Sequence, residues 1–364
     1  MKRSQNTEKL IRTGLRHIKG YASILPLEVL SEHTGVPTEG MVKLDGNENP
    51  YGCSPRVRNA LSSYPHYHIY PDPEQRELRR ALEKYVGVPT DHIVVGSGSD
   101  ELIDLILRLF IEPGEEVINC IPTFGMYPFS TEVCGGRVNN VLRDESFAVD
   151  VTAVKKAINE RTKVIFIASP NNPTGNATSQ RDILELVKTG MVVVIDEAYY
   201  EFSKETMLPL VMEYDNLIVL RTFSKWAGIA GLRVGYGVFP ANIAAYLIQI
   251  KPPYNVNIAA QIAALESLKD LDYLGKTVAA IIKERERLFT KLTEMKFLKP
   301  LPSKANFILC RVLNGEALRI HRELQQKGIF IRYFDTPLLK DYLRISVGKP
   351  EHTDALIEAL REIC

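Results

Sequence analysis

The segment RTFSKWAGIAGLRVGYG, residues 221–237, sets Lys225 just after two hydroxyl residues, Thr222 and Ser224, and beside Trp226. An ammonium group is costly to remove from water. A lysine among small and apolar residues therefore needs a reason to be there. Arg233 follows in the same segment. Asp196 closes the apolar run VVVID, with Tyr199 just beyond it. A carboxylate at a strand end can cap a helix, join a structural ion pair or hold a proton in a reaction. Asn172 lies in the turn ASPNNPTG, and Gly98, Ser99 and Asp100 lie in GSGSDEL. A Gly/Ser turn opening a helix offers free N–H groups and a positive dipole end to a phosphate. Alone, it serves the steric needs of a strand-to-helix turn equally well.

These residues fall at the ends of apolar runs. HIVVGSGS (92–99), EEVINC (115–120), KVIFIASP (163–170), MVVVIDEAY (191–199) and NLIVLRT (216–222) read as strands covered on both faces. Helical patterns at 99–110, 150–160 and 179–190 alternate with them. The order predicts a mostly parallel sheet with right-handed crossovers, whose ligands bind beyond the carboxyl ends of the strands. After residue 255 comes a long helix over 270–296 with a charged face. Strands in KANFILCRV, GIFIRYF and YLRISVG follow, with a helix near 315–327 and a closing helix. The expected fold class is α/β: a large domain with its sheet between helices, and a smaller α+β domain. Residues 1–50 are expected to form an N-terminal arm and part of the small domain, 51–255 the large domain and 256–364 the small C-terminal domain.

Composition narrows the function classes. Across 364 residues, 45 basic side chains nearly balance 44 acidic ones, which gives no electrostatic case for nucleic acid or an anionic membrane. The five cysteines are scattered without CxxC spacing, so reduced thiols in a cytoplasmic protein are expected. The basic N-terminus lacks the apolar stretch of a secretory signal, and no run approaches the ~20 apolar residues of a membrane span. His66 and His68 lack a third ligand nearby, and no metal is expected.

The ordered set of Gly/Ser turn, Asn-Pro-Thr-Gly, Asp-x-x-Tyr, Ser-Lys and a later Arg resembles the fold-type I, class I/II aminotransferases, which use pyridoxal 5'-phosphate. The resemblance covers nearly the whole chain. It implies that Lys225 is the Schiff-base lysine and that Asp196 faces the pyridine nitrogen. It further implies that Tyr199 and Asn172 bond the phenolic oxygen. Gly98, Ser99, Asp100, Thr222, Ser224 and Arg233 would hold the cofactor phosphate. Phe124, in IPTFGMY, would stack on the ring. Tyr70, in HIYPDPEQ, would reach the phosphate of a neighbouring subunit, which implies a homodimer with shared active sites.

Two arginines near the C-terminus bear on the substrate. Arg344 in YLRISVG matches the family arginine that takes a carboxylate, and Arg332 in GIFIRYFD adds a second cation. That pair, together with LDGNENPYG around Asn49 and the early Tyr21 in KGYASILP, resembles the histidinol-phosphate aminotransferase branch. The implied substrates are a phosphorylated amine, histidinol phosphate, and the glutamate/2-oxoglutarate pair. An aromatic aminotransferase, a threonine-phosphate decarboxylase and a non-catalytic PLP-binding regulatory domain remain as alternatives. Arg332 read alone could be an exposed strand end, and Tyr21 a packing residue of the arm.

Overall fold

The computed structural model describes residues 7–21 and 23–363. In chain order its strands are β1 (Val42–Leu44), β2 (Ile93–Gly96), β3 (Glu116–Ile121), β4 (Arg137–Leu142), β5 (Thr162–Ala168) and β6 (Val192–Asp196). There follow β7 (Leu217–Thr222), β8 (Gly235–Val238), β9 (Leu298–Pro300), β10 (Phe307–Val312), β11 (Ile329–Tyr333) and β12 (Tyr342–Ser346). Seven of them form one sheet in the order β2-β8-β7-β6-β5-β3-β4. All neighbours in it are parallel except β8, which runs antiparallel to both β2 and β7. The expected α/β class and mostly parallel sheet are what the chain adopts.

The sheet is apolar on both sides because successive side chains point to opposite faces. On β6, Val193 and Ile195 belong to one buried cluster and Val194 to the other. Each such side chain fully removed from water contributes about 1.5–3 kcal/mol. On one face lies the helix Ser99–Phe110, which buries Leu102, Ile103 and Ile106 and carries Asp100 and Glu101 in its first turn.

The runs read as strands capture β2, β3, β5, β6 and β7 but not β4 or β8. β4 is an edge strand of sequence RVNNVL, only one residue of which is buried, so it lacks the apolar signal. β8 is GYGV, short and rich in glycine. Its Gly235 is there for contact: a Cβ would lie 2.6 Å from the Ser99 amide nitrogen. The bare backbone lets the start of the helix rest on the sheet.

The second sheet has the order β1-β11-β12-β10-β9, with β1 parallel to β11 and the other pairs antiparallel. Residues 42–44 thus reach across sequence to join the C-terminal strands. The helix Leu271–Thr293 runs beside this sheet and buries a stripe of Leu274, Val278, Ile281, Leu288 and Leu292, the spacing of one helix face. Among the described residues, no helix is long and apolar enough to cross a membrane.

Candidate active site

β5, β6 and β7 end at a cleft of about 1180 Å³, whose opposite wall comes from β11 and β12 of the second sheet. Lys225, Asp196, Tyr199, Asn172, Phe124, Ser99, Asp100, Thr222, Ser224, Arg233, Tyr21, Arg332 and Arg344 all line it. Residues spread over most of the sequence are brought to one cavity because parallel strands deliver their carboxyl ends to the same edge.

One side of the cleft is a cup of donors. The Thr222 hydroxyl donates to Ser224 Oγ at 2.9 Å, and the Ser224 amide donates to Thr222 Oγ1 at 3.1 Å. Arg233 Nη1 reaches Ser224 Oγ at 3.5 Å, and its Nη2 pairs with Asp100 at 2.7 Å. Arg233 has φ 55, a left-handed conformation that costs a non-glycine residue ~1–3 kcal/mol and turns the guanidinium back over the helix start. Gly98 takes φ 80, and a Cβ there would lie 2.6 Å from Arg233 Nη2. Two hydroxyls, a guanidinium and a helix N-terminus suit a phosphate dianion.

Asp196 lies deeper and is buried. Its Oδ2 accepts from the Tyr127 hydroxyl at 2.7 Å and its Oδ1 from the Ala198 amide at 3.1 Å. Burial pushes its carboxyl up to about 6, against the pull of those two donors. Tyr127 is itself fully buried and stacks on Phe166 with centroids 4.8 Å apart. Tyr199 is also buried; its hydroxyl accepts from Asn47 Nδ2 at 3.0 Å, and burial raises its pKa to about 12.

Lys225 Nζ donates to the Gly46 carbonyl at 3.1 Å. Burial, and then the positive charge of Arg344, lower its pKa to about 8. The amine is therefore much closer to its nucleophilic form at neutral pH than an exposed lysine. Phe124 stands over the cleft, edge-on to Tyr127 at 5.6 Å and to Tyr21 at 6.0 Å.

The far wall carries the two arginines. Arg332 and Arg344 are direct partners across β11 and β12, which places their Cβ atoms roughly 4.5–5.5 Å apart on one face. Arg344 is buried; Nη1 donates to Asn172 Oδ1 at 2.6 Å and Nη2 donates to the Asp45 carbonyl. Its Nε has no partner, and the guanidinium lies over the rings of Phe307 and Phe334. Burial lowers the Arg344 pKa, and Arg332 adds to the effect. Two cations side by side repel, so an anion entering between them is favoured.

Two expected residues sit elsewhere. Asn49 is not on the cleft wall: Nδ2 donates to the Trp226 carbonyl at 2.8 Å and Oδ1 accepts from the Tyr51 amide at 2.9 Å. The asparagine of LDGNENPYG that faces the cleft is Asn47. Tyr70 is also outside its own chain's cleft, 77% exposed and stacked on Tyr254 at 4.5 Å. The sequence reading passed over Tyr127, Asn47 and Phe334. For Tyr127 the available signal was its spacing: three residues after Phe124 in a helical segment puts both side chains on neighbouring faces.

The donor cup, the buried carboxylate and the activated lysine fit a phosphorylated aldehyde cofactor with a basic ring nitrogen. Comparison with known proteins agrees. The family model for aminotransferase class I and II matches residues 39–360. A histidinol-phosphate aminotransferase of Dehalococcoides mccartyi is 51% identical over 358 residues, 98% of this chain and 99% of that one. The chloroplastic histidinol-phosphate aminotransferase 1 of Arabidopsis thaliana is 48% identical, covering 98% of this chain and 86% of its own. Among solved structures, histidinol-phosphate aminotransferase from Sinorhizobium meliloti, in complex with pyridoxal-5'-phosphate, superposes with a TM-score of 0.86 at 27% identity, covering 94% of this chain and 95% of its own. The chain belongs to the class I and II aminotransferases.

Proposed function

We propose that this chain transfers the amino group of histidinol phosphate to 2-oxoglutarate, giving imidazole acetol phosphate and glutamate. The observation that carries the substrate is the pairing of Arg332 with Arg344 across β11 and β12. Histidinol phosphate has no carboxylate, and its phosphate dianion calls for two cations. A carboxylate of glutamate can use the same pair through a bidentate fork.

Pyridoxal 5'-phosphate supplies an aldehyde that takes the amino group and a protonated ring that stores the electrons of the broken Cα–H bond. Thr222, Ser224, Arg233 and the amides at Ser99 hold its phosphate. Asp196, its Oδ2 held by the Tyr127 hydroxyl, would pair with the ring nitrogen and keep a proton there. Asn172 and Tyr199 bond the phenolic oxygen. Phe124 covers the ring face. Lys225 Nζ would hold the cofactor and, as a free amine, would move the proton from the substrate Cα. Positioned acid–base catalysis of that kind is worth ~10²–10⁴ in rate.

Tyr70 lies too far outside its own cleft to serve it, and its exposed stack with Tyr254 suits a role at the phosphate of a second subunit. The working unit in this reading is a homodimer with shared active sites. A cytoplasmic setting belongs to the same reading, with Cys120 and Cys310 buried as free thiols.

The test is product analysis with kcat/KM for histidinol phosphate, phenylalanine and L-threonine phosphate. Histidinol phosphate is expected to be the best amino donor, with glutamate formed in equal amount. Preference for phenylalanine would replace the reading with an aromatic aminotransferase. Carbon dioxide from L-threonine phosphate would replace it with a lyase.

A further inference from the structure

Residues 19–21, 23 and 24 of the N-terminal arm line the cleft, and two glycines lie against them without any backbone reason to be glycine. Gly125 has φ −71 and ψ −8, ordinary right-handed values. Gly46 is likewise outside the left-handed region. At Gly125 the arm occupies the space that a side chain would fill; at Gly46 the arm does so together with the Glu48 carboxylate, whose Oε2 would lie 3.0 Å from a Cβ. A Cβ on Gly125 would lie 3.1 Å from Tyr21 Cε2 and 3.4 Å from Cδ2. Among the described residues no other atoms beyond its chain neighbours come within 4 Å. A Cβ on Gly46 would lie 2.6 Å from Ile24 Cδ1. The Gly46 carbonyl, meanwhile, accepts from Lys225 Nζ. The arm is tied down further along by Arg12, whose Nη1 donates to the Val133 carbonyl at 3.1 Å, in the last turn of the helix Met126–Cys134.

We infer that Gly46 and Gly125 are positioning residues: their absent side chains form two seats that hold Ile24 and Tyr21 of the N-terminal arm over the cleft. Tyr21 stands edge-on to Phe124 because Gly125 leaves room for its ring, and Ile24 rests on the backbone that holds Lys225. The seats act on substrate retention and not on proton transfer, since neither glycine contributes a side chain to the reacting groups. That effect rests on the function proposed above; the docking of the arm does not.

The experiment uses the holoenzyme and two readouts, limited trypsin cleavage after Arg16 and Lys19 and steady-state kinetics with histidinol phosphate. Gly125→Val should speed arm cleavage about fivefold, since a displaced or off-rotamer Tyr21 raises the population of the open arm by that order. KM should rise in proportion while kcat holds. Gly125→Ala, a gentler change that perturbs only Tyr21, should move both in the same direction by less. In a Tyr21→Ala background, Gly125→Val should add nothing. Cleavage at the wild-type rate in Gly125→Val, or effects of Tyr21→Ala and Gly125→Val that multiply, would overturn the seats. Absent turnover of histidinol phosphate by the wild type would instead count against the proposed substrate, with the cleavage series still reporting on the arm.

Discussion

Arg221 and Arg344 are both buried and both lie over aromatic rings, yet only Arg344 lines the cleft, and the two are built into opposite surroundings. Arg221 sits 3.5 Å over the Tyr200 ring and pairs with buried Glu197 at 3.0 Å, with a further bond to Thr206 at 2.8 Å. Glu201 is close by, its carboxyl pushed up by burial to about 7. Burial opposes the Arg221 charge, but Tyr236, Glu197 and Glu201 outweigh it and raise the arginine's pKa. Arg344 meets neutral acceptors only, the Asn172 amide and the Asp45 carbonyl, and has a second arginine as its cross-strand partner. The charge of Arg221, already neutralised by a buried carboxylate, supports the structure. A charge held among neutral acceptors is kept for an anion that arrives from outside. Lys225 also meets only a neutral acceptor, a backbone carbonyl, which leaves its amine available for covalent chemistry and not for holding an anion.

The comparison can be broken most severely at Lys225. Lys225→Ala should lower kcat by at least ~10²–10⁴ with little change in Tm, measured by stopped assay and by calorimetry. The matched pair Arg221→Met and Arg344→Met should then separate the two kinds of arginine. Arg221→Met strands Glu197 in the interior and should cost about 3–5 kcal/mol in denaturant unfolding. Arg344→Met removes the donor from two neutral acceptors, the Asn172 amide and the Asp45 carbonyl, and should cost about 1 kcal/mol, while substrate KM rises about a hundredfold. Equal destabilisation by the two would erase the distinction.

A smaller effect is expected at Tyr127→Phe. The hydroxyl helps to hold Asp196 ionised against its burial, so its loss should raise the Asp196 pKa further above about 6. Cofactor affinity should fall about tenfold near neutral pH, more at pH 6 than at pH 8, by equilibrium dialysis. The smallest change needs no mutation. Lys225 attacks as the free amine, so borohydride-trapped cofactor attachment to the apoprotein should quicken as pH rises through about 8 and then level off.

The parts of the site legible in the sequence are those that local order announces. Asp196 ends an apolar run, Ser99 opens a helix, and Lys225 follows two hydroxyls; each position declares itself within a few residues. What stayed hidden depends on pairing between distant segments. Asn47 and Asn49 flank a single glutamate, and nothing local says that one bonds Tyr199 while the other bonds the Trp226 carbonyl. Tyr127 reads as one more aromatic in an amphipathic helix until β6 brings Asp196 to its hydroxyl. The same holds for the fold: β8 is too short and too rich in glycine to register, because its composition answers to the helix start pressed against it.

The claim that the two arginines across β11 and β12 await a phosphate is tested most directly by Arg332→Ala, assayed in parallel with histidinol phosphate and phenylalanine. The loss in kcat/KM is expected to be much larger for the phosphorylated substrate, by a factor on the order of 10² for one charge-assisted contact removed. Equal losses for both substrates would contradict the assignment.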